Sequence, residues 1–476
     1  MSALADRIRE IVRATPAREQ QSTSASTPSG FSGTTEHVPS GFPPPPNASA
    51  RLVEGRSARE GGSRTSGDLA SILGGVWRDG YLVIERTCKP SARHGHETIG
   101  SVAERLELAA GEAVRFAHEA RTPFVFFDLE TTGLSGGAGI HVFLVGCGRF
   151  EADGAFLTRQ YLLTSHAQEK MLLAALAGEL ARVGALVSFN GKSFDVPMLE
   201  TRYLFHRLPW TGEQVAHFDV LHPARRFWGR TEHALSMWRA EGSLGRTGDC
   251  SLTALERAIV GLKRTGDVPG FEVPSRYFQF VRTGDARPLV AILEHNRLDL
   301  LTLATITAQL LHIVRLGPDG ARTSTEALAL GRVYASGGDE ERARAAFTRA
   351  IQMSRAPAGA FDPVRVDALR ALALAWRRVR RFDHAVGCWR QLADMRGCPP
   401  RIVREATEAL AIHHEHRVRD LVSARAFALQ SLEAGLHPAP QRGCRRADPT
   451  AWTRAIEHRL ERIERKLQVR SLKYEV

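Results

Sequence analysis

The stretch that decides the fold is FVFFDLETTGL, residues 124–134. Its apolar start predicts a short buried strand, and two carboxylates, Asp128 and Glu130, follow at the carboxyl end. Because side chains alternate along a strand, Asp128 and Glu130 lie on the same face as Phe126. Two neighbouring carboxylates are costly unless a cation lies between them, and a hard divalent cation is the usual partner. The alternative is that one carboxylate caps the next turn and the other is solvated.

The composition favours several domains and an anionic partner. The chain has 476 residues and a net charge of +12, a length typical of two to four domains. Most of the positive charge is arginine, which pairs well with phosphate, so nucleic acid is the first candidate partner; a general arginine bias is the alternative. The six cysteines include no C-x-x-C pair, which predicts no zinc knuckle or disulfide framework and fits a cytoplasmic location. We find no stretch apolar enough to span a membrane and no secretory signal, so we expect no membrane partner.

The chain divides into four segments by composition and periodicity. Residues 1–67 are rich in Ser, Thr, Gly and Pro, which predicts a disordered N-terminus. Strand and helix patterns alternate over 68–315, helix follows helix over 316–440, and residues 441–476 contain a basic amphipathic helix. We therefore expect an α/β domain followed by an all-α region.

The order of elements in residues 68–315 indicates the architecture of that domain. Three strands, beginning at residues 124, 142 and 156, have short connections and predict an antiparallel meander. Helices then alternate with short strands near 185–190 and 217–221, and a last helix covers 289–311. A meander followed by alternating helices and strands is similar to the ribonuclease H-like fold, with a mixed sheet.

Two later segments add carboxylates that this fold would bring to Asp128 and Glu130. The stretch SFNGKSFD, residues 188–195, is a strand, a glycine turn and a helix start that carries Asp195. In EHNRLD, residues 294–299, His295 and Asp299 are four residues apart and share one face of the last helix. Four carboxylates from three separate segments are thus candidates for one site.

These motifs together resemble a known family. DLETTGL, SFNGKSFDVPML and EHNRLD are similar to the three motifs of the DEDD 3′–5′ exonuclease superfamily, and most closely to the YprB-type ribonuclease H-like domain, over roughly residues 76–311. The resemblance implies an exonuclease that hydrolyses phosphodiester bonds of single-stranded RNA or DNA with two Mg²⁺ or Mn²⁺ ions. It assigns the metal ligands as Asp128, Glu130, Asp195 and Asp299.

The resemblance also gives His295 the role of orienting or deprotonating the attacking water. Here the sequence departs from the family, because His295 has the spacing to Asp299 of the branch that carries tyrosine. A solvated helix histidine is the alternative.

The substrate-binding candidates are polar or flank the motifs. By resemblance, Thr132 and Leu134 contact the terminal nucleotide. Asn190 would hold its loop or a phosphate, and Lys192 is a possible phosphate contact. Arg225 and Arg226 suit a phosphate backbone. Asp219 is either a further acidic neighbour of the metals or a helix cap.

The C-terminal third predicts tetratricopeptide-like repeats. Small and large residues fall on the spacing of that repeat, as in Leu330, Gly331, Tyr334, Ala343, Phe347 and Ala350. Such repeats would offer a surface to a protein partner or to the nucleic acid, or would cap the first domain. The basic helix near the C-terminus either touches nucleic acid or is solvated. A catalytically weak nucleic-acid-binding or protein-interaction scaffold is therefore the alternative function.

Overall fold

The computed structural model describes residues 66–133, 139–229, 250–357, 359–436 and 449–472. Residues 62–476 form one compact unit. The prediction of disorder for residues 1–67 falls almost entirely outside the described residues.

Seven of the described strands form one mixed sheet, in the order β1-β2-β7-β6-β5-β8-β9. The strands of the described residues are, in chain order, β1 Gly75–Arg78, β2 Tyr81–Cys88, β3 Arg93–His94, β4 Glu97–Thr98, β5 Phe124–Thr131, β6 Val142–Phe150, β7 Phe156–Leu162, β8 Ala185–Ser188 and β9 Ala216–Asp219. Strands β5, β6 and β7 are the predicted antiparallel meander. Because β8 runs parallel to β5 and to β9, the carboxyl ends of these three strands meet at one edge of the sheet.

Helices pack against the sheet. In chain order they are α1 Ser66–Leu73, α2 Ile99–Ala109, α3 Glu169–Leu180, α4 Asp195–Phe205, α5 Leu221–Phe227, α6 Leu252–Leu255, α7 Val273–Thr283 and α8 Arg287–Leu316. The 30-residue helix α8 packs against β5 and β6 and buries an almost unbroken apolar face. This packing brings the EHNRLD motif over the end of β5.

Helix α8 also corrects one expectation from the sequence. It is long and apolar enough to cross a membrane by length and composition, with a mean hydropathy of 1.3 in its best 18-residue window. The sequence prediction that no such stretch exists is therefore wrong. In the structure 78% of that window is buried, because the helix packs between the sheet and helix α2.

The C-terminal region is all helical in the described residues. Its helices are α9 Ser324–Ser336, α10 Glu340–Gln352, α11 Pro363–Arg378, α12 Phe382–Ala393, α13 Pro400–His413, α14 Leu421–Leu436 and α15 Pro449–Leu472. Consecutive helices pack in pairs. In the first pair a Cβ atom on Gly331 would lie 2.3 Å from the Phe347 ring, so the small residue makes room for the large one. The assignment of these pairs to tetratricopeptide-like repeats stays a prediction.

One buried carboxylate accepts three hydrogen bonds from helix α15, which also packs its apolar face against the preceding helices. The Glu415 side chain is 0% exposed, and it accepts hydrogen bonds from Arg459 at 2.8 Å, Arg462 at 2.7 Å and Lys466 at 2.9 Å. Burial alone would raise the pKa of Glu415, but the bonds from Arg462 and Lys466 lower it to about 2. Part of the positive charge of this basic helix is therefore neutralised within the chain.

We expect Glu415→Gln to loosen helix α15, because three cations would lose their shared anion. Breaking such a buried pair costs about 3 kcal/mol. The contribution of Glu415 is present above its ordinary pKa of 4.5 and is lost as the pH falls through about 2. Amide hydrogen exchange across residues 449–472 should therefore be faster in the variant at neutral pH. The exposed Glu457 on the same helix is the control, and equal protection in Glu415→Gln and Glu457→Gln would contradict the account.

Candidate active site

Strand β5 places Asp128 and Glu130 on one face at its carboxyl end. Asp195 begins helix α4 after the glycine turn that follows β8. Asp299 lies on helix α8, which packs against β5. The structure thus brings the four predicted metal ligands from three elements to one edge of the sheet.

The four carboxylates affect one another electrostatically. The pKa of Asp128 is raised well above its ordinary value, first by burial and then by repulsion from Asp299 and Asp195. Burial and repulsion from Asp128 and Asp299 do the same to the pKa of Glu130. Burial also raises the pKa of Asp299, and burial with repulsion from Asp219 raises the pKa of Asp195 to about 7. Such a group of acids is stabilised by a cation.

Two of the carboxylates already have donors from the protein. Asn296 Nδ2 donates to Asp128 Oδ2 at 2.7 Å, and Arg264 Nη2 donates to Asp299 Oδ1 at 2.6 Å. Within the described ranges, no three His, Cys, Asp or Glu side chains stand close enough to hold a metal ion as they are. The carboxylate oxygens and their negative charge fit a hard divalent cation. To enclose one, these side chains must move closer together.

The segment between β9 and helix α8 contributes residues that sequence reasoning missed. Arg264, only 5% exposed, bonds to Glu256 at 2.8 Å and lies 3.2 Å from Asp267, in addition to its bond with Asp299. Glu256 in turn accepts a hydrogen bond from Thr302 on helix α8. Arg264 thus fixes this segment to the helix that carries Asp299. No spacing rule marks such an arginine in advance.

His295 has a partner of its own. Its Nδ1 atom lies 2.7 Å from Asp267 Oδ1, and its Nε2 atom lies 3.5 Å from Asp299 Oδ2. Because a carboxylate only accepts, Nδ1 carries the proton of the bond to Asp267, and Nε2 faces a second carboxylate, that of Asp299, beside the acidic cluster. Bonds from His295 and Arg264 outweigh burial and lower the pKa of Asp267. Sequence reasoning assigned no role to Asp267.

Asp219 has a structural role in this arrangement. It accepts backbone N–H groups from Asn190 at 2.9 Å, Lys192 at 3.1 Å and Leu221 at 3.1 Å. It therefore caps the start of helix α5 and shapes the turn before Asp195. Asn190 has a φ of 69°, a left-handed conformation that asparagine tolerates. Both roles considered for Asp219 have support, because it accepts the N–H of the first residue of helix α5 and its charge raises the pKa of Asp195.

The other substrate-binding candidates lie around the same sheet edge. Thr132 Oγ1 accepts from the backbone N–H of His141 at 2.9 Å, which closes the loop after β5. Lys192 and both arginines of helix α5, Arg225 and Arg226, are exposed. Leu134 lies outside the described residues.

Comparison with known proteins bears on the fold of this domain. Residues 125–311 match the model of the RNase_H superfamily. The chain is also similar to the uncharacterized protein YprB of Bacillus subtilis (strain 168), with 29% identity over 364 residues, or 75% of this chain and 82% of the relative. The match of residues 125–311 implies a hydrolase of nuclease type that acts on nucleic acid, and nucleases with this fold generally use divalent metal ions. Residues 125–311 are a ribonuclease H superfamily domain.

Proposed function

We propose that this protein is a metal-dependent exonuclease that hydrolyses single-stranded RNA or DNA from the 3′ end. The observation that carries the proposal is the meeting of Asp128, Glu130, Asp195 and Asp299, whose pKa values are all raised. Carboxylates that repel one another in this way need a nearby cation to stabilise their charged form. The 3′ polarity rests on the resemblance of the three sequence motifs.

The four carboxylates would hold two Mg²⁺ or Mn²⁺ ions. By the resemblance of the motifs, Asp128 would be the ligand shared by both ions. When bound, the ions would polarise the phosphate and make the attacking water more acidic. Glu130 and Asp299 would complete one side of the site, and Asp195 would complete the other.

His295 would take the proton of that water in the form in which its Nε2 atom is unprotonated. Its Nδ1–H is held by Asp267 at 2.7 Å, and its Nε2 atom lies 3.5 Å from Asp299 Oδ2. The bond to Asp267 fixes the orientation of the ring in spite of its unusual spacing from Asp299. Asp267 would also stabilise the imidazolium formed after proton transfer.

Substrate contacts would come from the edge around the carboxylates. We assign the terminal nucleotide to Thr132 and Leu134, and phosphates to Asn190 and Lys192. A longer strand would continue over helix α5, where Arg225 and Arg226 are exposed. These contacts are electrostatic and would not select a base sequence.

The helical pairs would bind either a protein partner or the trailing strand, and their charge favours the strand. Arg377, Arg380 and Arg381 are exposed at the turn between helices α11 and α12, and in the described part of the chain they have no carboxylate partner. Beside them, the Arg417 guanidinium lies 3.3 Å from the centre of the Phe382 ring. Arginines and aromatic rings together suit single-stranded nucleic acid.

The direct test is hydrolysis of single-stranded RNA and DNA, about 30 nucleotides long and labelled at the 5′ or the 3′ end. With Mg²⁺ or Mn²⁺ we expect shortening that EDTA stops and a blocked 3′ end prevents. Asp128→Asn should lower the rate about a hundredfold or more, because metal assistance is worth several kcal/mol. Binding of the strand should persist in this variant.

The matched control is Glu107→Gln, since Glu107 is an exposed acid on helix α2, and its rate should equal that of the parent. If the parent binds both polymers and shortens neither, the scaffold becomes the better account of the chain.

A second prediction concerns pH in the absence of metal. The raised pKa of Asp195, about 7, means that its contribution to stability is present below its ordinary value of 3.8 and is lost as the pH rises through about 7. The Asp195→Asn variant has no carboxylate at this position, so it should not lose this stability as the pH rises. Without metal at pH 8, we expect the variant to melt several degrees above the parent in differential scanning calorimetry, and Mn²⁺ should raise the parent's Tm by more than that of the variant.

Asp219→Asn is the control for this measurement. Asp219 holds three backbone N–H groups, and an amide has one accepting oxygen, so this variant should melt below the parent at pH 5. The deficit should be smaller at pH 8, because the variant also removes the repulsion of Asp195 by Asp219. A parent more stable than Asp195→Asn at pH 8 without metal would contradict the electrostatic account.

A further inference from the structure

Asn296 is a fully buried polar residue beside the candidate metal ligands that the proposed chemistry does not use. Its side chain is 0% exposed, and its Nδ2 atom lies 2.7 Å from Asp128 Oδ2. It sits on helix α8 between His295 and Asp299. A buried amide needs hydrogen-bond partners on both its oxygen and its nitrogen. The partner on the side away from Asp128 therefore shows which of the two atoms faces Asp128.

That second partner is Gln160 on strand β7, also 0% exposed. Gln160 Nε2 lies 2.8 Å from the backbone oxygen of Leu293 and 2.8 Å from Asn296 Oδ1. Because a backbone carbonyl can only accept, the end of Gln160 that faces Leu293 must be its NH₂ group. Asn296 therefore accepts with Oδ1, and its own NH₂ group must face Asp128.

The sheet is shaped to allow this contact. Across three adjacent strands, Asp128 pairs with Gly146, and Gly146 pairs with Gln160. Asn296 lies over the glycine and spans the gap between its two neighbours. A Cβ atom at position 146 would lie 2.3 Å from Asn296 Oδ1 and 2.8 Å from Nδ2, so a larger residue would displace the amide.

The arrangement also has a cost. Gln160 Oε1 is buried and has no hydrogen-bond partner among the described residues. An unsatisfied buried acceptor destabilises a fold. This loss of stability falls on Gln160, the residue that orients the NH₂ group of Asn296 toward Asp128.

We infer that Asn296, oriented by Gln160 over Gly146, is a positioning residue that holds one oxygen of Asp128 and leaves the other free to bind cations. The inference rests on the proposed function, because it concerns how Asp128 presents itself as a metal ligand. A neutral donor stabilises the charged carboxylate without competing as a cation would. Residues that orient a metal ligand in this way typically contribute 10–100-fold to metal affinity.

The test is Mn²⁺ binding by isothermal titration calorimetry at pH 7.5, with the full chain. Asn296→Leu keeps the approximate volume and removes the donor, and we expect it to weaken Mn²⁺ binding about 10–100-fold. Gln160→Leu leaves Asn296 in place and removes only its orienting partner, so it should weaken binding in the same direction by a smaller factor. This second variant covers the case in which Asn296→Leu does not fold.

The matched control is Thr307→Val. Thr307 is equally buried on helix α8, but its hydroxyl donates only to the backbone of Leu303, at 2.7 Å. Its loss should change Tm without changing Mn²⁺ affinity. If the parent binds Mn²⁺ and a folded Asn296→Leu or Gln160→Leu variant binds it within twofold, the inference is overturned and the proposed function stands. If the parent neither binds Mn²⁺ nor hydrolyses a strand, the proposed function fails and the inference falls with it.

Discussion

The repulsion among the carboxylates at the end of strand β5 is the constraint on which the rest of the structure depends. Burial and like charge raise the pKa of Asp128 and Glu130 together, so the folded chain keeps these acids at an electrostatic cost. Around them, Asn296 and Arg264 supply donors to Asp128 and Asp299. The neighbouring elements can thus be understood as support for a group of acids that a cation would stabilise further.

Helix α8 supplies much of this support. One face of its first half carries His295 and Asp299, and the same stretch buries Asn296 against the sheet. Its second half is an apolar core helix that packs against helix α2. The segment that precedes helix α8 also contacts it. Arg264 bonds to Asp299, and Asp267 bonds to His295. A nuclease site built in this way would be rigid on the side of helix α8 before any metal binds.

Much of this architecture could be predicted from the sequence. Strand periodicity gave the meander β5–β6–β7, and the motif residues Asp128, Asp195 and Asp299 were placed on the right elements. What could not be predicted depends on side chains far apart in the chain, such as Gln160 with Asn296, 136 residues away. Spacing along the sequence does not predict such a contact. Composition also misled in one place, since the apolar run of helix α8 reflects burial among other helices.

The measurement that tests the central claim most directly is anomalous diffraction at the manganese edge from crystals of the protein grown with Mn²⁺. The account predicts anomalous peaks among the carboxylates of Asp128, Glu130, Asp195 and Asp299, with Asp128 ligating in every occupied site. Peaks that lie elsewhere, or none at these carboxylates at saturating Mn²⁺, would contradict it.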